Sequence, residues 1–159
     1  MRLLLDTNLL RKLCHPSKHS EVREWFQGWL SAADAGRELD IAISAAADYE
    51  LRRGYLWKLG RHEDERKALD RLDRLCRLLD VQPVSESVLR HAAALWADAR
   101  RNGYSTAPER DIDWDVIIAA QATEIPAIVV TSNAQHIARY GVAARDWHEI
   151  PVPEDPGRA

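Results

Sequence analysis

Met1-Arg2-Leu3-Leu4-Leu5-Asp6-Thr7-Asn8 opens the chain, and its reading decides the fold. Three consecutive leucines show no apolar/polar alternation, which fits a strand covered on both faces, as in a parallel sheet. The run over 2–6 ends in a carboxylate followed by two small polar residues, the composition of an Asx-turn or a helix cap. Working outward, 40–44 (Asp40-Ile41-Ala42-Ile43-Ser44) and 127–131 (Ala127-Ile128-Val129-Val130-Thr131) repeat the design, an apolar run closed by a small polar group. Val81 to Val84 is a shorter run interrupted by Pro83, so it belongs at a sheet edge. A last strand is expected at 147–151. Between these runs the spacing is helical. Val22, Trp25, Phe26 and Trp29 mark a helix over 20–35. A helix over 45–59 has Ser44 as N-cap and Gly60 as stop. Further helices are expected over 62–80, 86–101 and 113–124. Ser132-Asn133-Ala134-Gln135 matches the S-x-x-Q capping box and predicts a short helix behind it. Strands alternating with helices predict an α/β fold, a parallel sheet with helices on both faces.

The 159 residues make one domain, 1–150, followed by a short C-terminal tail, 151–159, expected to fray. There is no internal repeat, linker or low-complexity segment. The longest apolar stretches fall short of the ~18 residues a membrane span needs, and the N-terminal run reads as a strand, not a signal peptide. Cys14 and Cys76 have no CxxC or CxxH partner, so they read as reduced thiols of a cytoplasmic protein and not as a zinc site. A net charge of −3 carries no global mark of nucleic-acid binding. Charge is uneven, however: residues 52–77 hold nine Lys/Arg against five acids. Such a segment is either a solvated helix face or a surface for a polyanion, with Arg52, Arg53, Lys67, Arg71 and Arg74 as the candidate phosphate contacts.

Carboxylates stand at the ends of the apolar runs. Asp6 closes the first. Glu50 lies about two helical turns beyond the second. Asp113 and Asp115 open the apolar helix Val116-Ile117-Ile118-Ala119-Ala120, and Asn133 follows the strand ending at Thr131. Each has a plain reading: Asp6 and Asp113 as caps, Asp115 and Asp48 as first-turn acids favoured by the helix dipole, Asp111 as a solvated charge, Glu50 as a partner for Arg53. Three acids in the five residues 111–115 exceed what capping needs. In an open α/β sheet, groups at the carboxyl ends of parallel strands converge, and acids gathered there repel by roughly 4 kcal/mol per pair at about 4 Å. A divalent cation relieves that. Oxygen donors without convergent Cys or His favour Mg²⁺ or Mn²⁺, an ion that activates water and steadies in-line phosphoryl displacement. Thr7 and Asn8 are expected to hydrogen-bond the turn and orient the Asp6 carboxylate, and Thr131 to complete the site with Asn133. There is no GxSxG elbow, GxxxxGK[ST] loop or GxGxxG fingerprint. A phosphatase using Asp6 as nucleophile lacks its second acid, because position 8 is Asn.

Leu3-Leu4-Leu5-Asp6-Thr7-Asn8 resembles the opening motif of PIN-domain nucleases. Ile43-Ser44 leading to Glu50-Leu51 and Gly54 is similar to their second motif, Asp115-Val116-Ile117-Ile118-Ala119-Ala120 to their D-x-x-I-A-A helix, and Thr131-Ser132-Asn133 to their strand-end T-x-D/N. The four stand in the family's order and cover nearly the whole chain, and its length resembles VapC-like toxins of bacterial toxin–antitoxin pairs. The resemblance implies a three-layer PIN-like fold with a roughly five-stranded parallel sheet. It also implies a metal-dependent endoribonuclease with Asp6, Glu50 and Asp115 as acidic core and Mg²⁺ or Mn²⁺ as cofactor. Asp113 and Asn133 are the further metal-site candidates. Asn133 departs from the Asp common in the family, which leaves the number of metals open. RNA as substrate, a cognate antitoxin and a homodimer are the partners implied. The alternative is a PIN-fold interaction module of weak catalysis, or an RNA-processing factor.

Overall fold

Strand β1 (Arg2–Leu5) runs through the interior of a parallel sheet in the computed structural model, which describes residues 1–15, 17–35, 38–60, 63–104 and 113–153. It pairs with β2 (Asp40–Ser44) on one side and β4 (Ile128–Val130) on the other, Leu3 standing opposite both Ile41 and Ile128. Leu3, Leu4 and Leu5 have no exposed surface, as their lack of alternation predicted. With β3 (Asp80–Gln82) beside β2 and β5 (Ala144–Arg145) beside β4, the order is β3-β2-β1-β4-β5, all parallel. The edge strand predicted near Pro83 is β3.

The chain first steps outward from β1 to β2 to β3, then crosses back to β4 and β5. Right-handed crossovers place the helices of the two journeys on opposite faces. Accordingly α1 (Thr7–Cys14), α3 (Ala45–Lys58) and α4 (Glu63–Leu78) pack together, while α5 (Glu86–Arg101) packs on α6 (Trp114–Glu124) and α6 on α7 (Ala134–Ala138). Helix α2 (Ser20–Asp34) buries Val22, Trp25, Phe26 and Trp29. Ser44 caps α3 by accepting the Ala47 N–H, and Gly60 leaves the helix at φ 87°. Among the described residues no helix is long and apolar enough to cross a membrane.

Two local expectations are corrected and one helix is added. Asp6 is a helix cap as expected, but the extent of helix α1 behind it was not anticipated. Leu9, Leu10, Leu13 and Cys14 bury one side of it, and Arg11 and Lys12 complement its C-terminus, but the Asp6-Thr7-Asn8 turn signal masked that pattern. The capping box at Ser132 does not form. Helix α7 starts at Ala134 with Asn133, not Ser132, as N-cap and with no side-chain cap, while the Ser132 hydroxyl accepts a hydrogen bond from Lys12 Nζ at 3.0 Å. The last strand is Ala144–Arg145, not 147–151. Trp147–Glu149 is a single 3-10 turn capped by Asp146. The apolar residues there are buried by tertiary contact instead: Trp147 lies edge-on to Trp25, whose Nε1 donates to Ile150 O at 2.7 Å. Asp111, Arg61, His62 and most of the loop before α6 lie outside the described residues.

Helix α6 is buried along Val116–Ala122, and Gln121 is buried with it. Its Nε2 donates to the carbonyls of Gln82 (2.7 Å) and Pro83 (3.1 Å), and its Oε1 accepts from the Ser44 hydroxyl at 2.6 Å. One amide thereby ties the carboxyl ends of β2 and β3 to α6. Gln121→Leu keeps the volume but leaves the buried Ser44 O–H without its acceptor and two part-buried carbonyls without their donor. At about 1–3 kcal/mol for each buried group left unsatisfied, with solvent reaching the Pro83 carbonyl, the expected loss is about 2–4 kcal/mol in urea unfolding. A loss below about 1 kcal/mol would show that water replaces the amide.

Candidate functional site

Strands β1 and β4 are neighbours, yet the chain leaves them in opposite directions. At such a reversal an open α/β sheet forms a crevice beyond its carboxyl ends. Asp6 ends β1 there and Thr131 follows β4 there. Asp6 is N-cap of α1 and only 4% exposed. Its carboxylate accepts the Thr7 N–H at 2.6 Å, Asn8 Nδ2 at 2.7 Å and the Thr131 hydroxyl at 2.7 Å. Asn8 Nδ2 also donates to Thr131 Oγ1 (2.8 Å), and Asn8 Oδ1 accepts the Ser132 N–H (2.9 Å). The Asn8 amide thus bridges the two strand ends.

Glu50 comes from α3, and its Oε2 accepts the Thr7 hydroxyl at 2.8 Å. Asp115 sits half-buried in the first turn of α6. Burial drives the Asp6 pKa up to about 6, against the pull of the Thr131 and Thr7 hydrogen bonds, and the charges of Asp115 and Glu50 push the same way. The Asp115 pKa is raised by burial first, then by Asp113; His136 and Arg139 oppose this and Glu50 reinforces it. Asp6, Glu50 and Asp115 therefore share one electrostatic field. Among the described residues no Lys or Arg forms an ion pair with them, and His136 Nδ1 lies 3.9 Å from Asp115 Oδ2.

Whether this set fits a metal ion turns on donor chemistry. The donors are all oxygens, they repel one another, and side-chain cations leave the repulsion standing, which suits a hard divalent cation. The carboxylates form an open set, not a closed cage: among the described residues no group of three His, Cys, Asp or Glu stands ready to hold an ion. Mg²⁺ keeps several waters and needs only one or two carboxylates, so the set fits it.

The structure brings Asp6, Glu50 and Asp115 together with Thr7, Asn8 and Thr131. Asp113 is turned to other tasks, capping α6 through the Val116 N–H (3.3 Å) and accepting the Tyr140 hydroxyl (3.2 Å). Asn133 is exposed, its backbone N–H bonded to Thr131 Oγ1 at 3.0 Å. Of the candidate phosphate contacts, Arg52 is held by Asp48 (2.9 Å) and Asp73 (2.7 Å), and Arg71 donates to Cys14 O (3.0 Å). Arg53, Lys67 and Arg74 are exposed. The sequence reading missed Lys12, Gln121, His136, Arg139 and Tyr140. Of these only His136 and Arg139 carried a signal, three apart just after the Thr131-Ser132-Asn133 strand end.

The PIN domain family model matches residues 3–142. No curated protein sequence matches the chain. Among solved structures, FitAcB of Neisseria gonorrhoeae superposes with TM-score 0.72 at 22% identity, covering 93% of this chain and 99% of that one. DNA-bound VapBC of Salmonella typhimurium gives 0.68 at 23% identity, over 92% and 98%. VapBC2 of Rickettsia felis, bound to a promoter DNA fragment, gives 0.68 at 21%, over 92% and 99%. These likenesses show the fold.

A carboxyl whose folded pKa is raised binds its proton more tightly folded than unfolded, so metal-free stability falls as pH rises through that window. For Asp6 it runs from the ordinary 3.8 to about 6. Asp6→Asn removes the dependence. In EDTA its stability relative to wild type should therefore improve by roughly 2–3 kcal/mol between about pH 4 and pH 7. A pH-independent difference in denaturant melts would refute the buried-charge account.

Proposed function

We propose that this chain, which belongs to the PIN domain family, is a metal-dependent endoribonuclease and the toxin of a toxin–antitoxin pair. The observation that carries this reading is the meeting of Asp6, Glu50 and Asp115, from three separate elements, in one field of mutual repulsion at the sheet's switch point. Asp6 and Asp115 would hold Mg²⁺ or Mn²⁺, with Glu50 as a further ligand or the group that positions the attacking water. When bound, the ion supplies an acidified water and neutralises charge on the phosphodiester.

The remaining work falls to the chain. The Thr7 hydroxyl fixes the Glu50 carboxylate, while Thr131 and Asn8 fix that of Asp6. Asp113 acts through Asp115, whose proton affinity it raises, and Asn133 stands exposed beyond β4 without adding charge. Exposed Arg53, Lys67 and Arg74 are the cations available to RNA phosphates. The FitAcB and VapBC neighbours support an antitoxin partner for this chain, and a cytoplasmic setting and a homodimer belong to the same reading.

A PIN-fold interaction module without useful catalysis is the competing reading. It is favoured by neutral Asn133 and by the lack of a ready three-ligand group among the described residues. Mn²⁺ titration separates the two, because a degenerate site binds no ion.

Purified protein free of any antitoxin, incubated with total RNA and Mg²⁺ or Mn²⁺, should give discrete metal-dependent ends. Asp115→Asn should lower the rate by at least about 100-fold, the upper end of what losing an outer-shell partner costs, with its fold intact by circular dichroism. Thr7→Val, which releases Glu50, should cost about 10- to 100-fold. Equal cutting by wild type and Asp115→Asn would overturn the assignment.

A further inference from the structure

We propose that Tyr49, Trp114 and Arg53 form a stacking platform for one unpaired RNA nucleobase on the rim of the acidic site. The inference rests on the nuclease reading above and specifies how that site takes hold of its substrate.

Tyr49 and Arg53 stand one turn apart on α3 and so share a face. Tyr49 is 52% exposed, a large ring left in solvent. Trp114 starts α6 and is half-buried. The Tyr49 and Trp114 ring centroids are 5.2 Å apart with planes inclined at 41°. The Arg53 guanidinium carbon lies 5.7 Å from the first centroid and 5.6 Å from the second, within cation–π range of both. Among the described residues Arg53 forms no ion pair, unlike its neighbour Arg52, which two aspartates hold.

Position decides what such a cluster can serve. Tyr49 immediately precedes Glu50 and Trp114 immediately precedes Asp115. Each ring is thus anchored to the element that delivers a carboxylate, and α3 packs against α6. The acids repel a phosphodiester approaching without a metal, so substrate needs a hold beside them. Aromatic faces supply one that any base satisfies by stacking, and a guanidinium outside any ion pair supplies the charge a flanking phosphate needs. A duplex keeps its bases stacked inside, so the platform selects single-stranded RNA.

The test is fluorescence anisotropy with end-labelled single-stranded RNA of about ten nucleotides, in EDTA so that nothing is cut, against an oligomer of equal length with abasic sugars. Wild type should prefer the base-bearing chain. Tyr49→Ala and Trp114→Ala should weaken that binding by about 5- to 100-fold and leave abasic binding unchanged, while Tyr49→Phe retains it. Arg53→Ala should weaken both oligomers. Tyr49 and Arg53 are exposed, so their variants stay informative if Trp114→Ala fails to fold, and Trp114→Leu, which keeps apolar bulk without an aromatic face, stands in for it. Loss of equal size on both oligomers from the Tyr49 and Trp114 variants, or no loss on either, would overturn the platform and leave the rings to a protein partner. Failure of wild type to bind either oligomer would overturn it too. Metal-dependent cutting measured in parallel then decides separately whether the nuclease reading stands.

Discussion

Strand β1 has neighbours on both edges and helices over both faces, and that position constrains everything else in the molecule. Its leucines are fully buried, each such side chain being worth about 1.5–3 kcal/mol. The residue that ends the strand inherits that burial. Asp6 must therefore carry its charge with almost no water, and its surroundings are built to that requirement. A backbone N–H, an amide and a hydroxyl all point at one carboxylate. They do not hold the pKa at its ordinary value, because burial and two neighbouring acids outweigh them.

Sheet topology supplies those neighbours. The chain returns from β3 to the far side of β1, so Asp115, more than a hundred residues from Asp6, arrives beside it. Two helix N-termini meet there, with Asp6 capping α1 and Asp115 in the first turn of α6. The partial positive charge of each terminus makes a buried carboxylate tolerable without an ion pair. The bridging amide of Asn8 and the buried amide of Gln121 fasten the strand ends on either side, so the acids rest on a rigid edge. Rigidity matters for a site whose parts come from separate elements, since small displacements there cost orders of magnitude in rate.

Aromatic and cationic residues around this centre sort by their packing, not by their composition. Tyr55 is buried with a hydrogen bond to His15, and Trp25 is buried against Trp29 and Trp147. Tyr49, on the same helix as Tyr55, stands in solvent beside Trp114. Of two adjacent arginines, Arg52 is consumed by aspartates and Arg53 lies over the two rings. Nothing in the alternation of charges along 52–77 distinguishes them.

The sequence by itself determined the parallel sheet, the buried character of β1, β2 and β4, and the edge position of β3, and it singled out Asp6, Glu50 and Asp115 as candidates. These are local signals: unbroken apolar runs, a proline, and polar residues placed where a run stops. It did not reveal α1, whose amphipathic spacing lay behind a turn signal. Nor did it reveal β5, two residues long and too short to show a period. Only the tertiary structure decided that Asp113 turns to Tyr140 while Asp115 turns to the site, that Ser132 meets Lys12 and Asn133 begins α7, and that Gln121 belongs to the core. Each choice depends on a partner distant along the chain. Burial, hydrogen bonding and charge act through space, and sequence spacing reports them only within a helical turn or along a single strand.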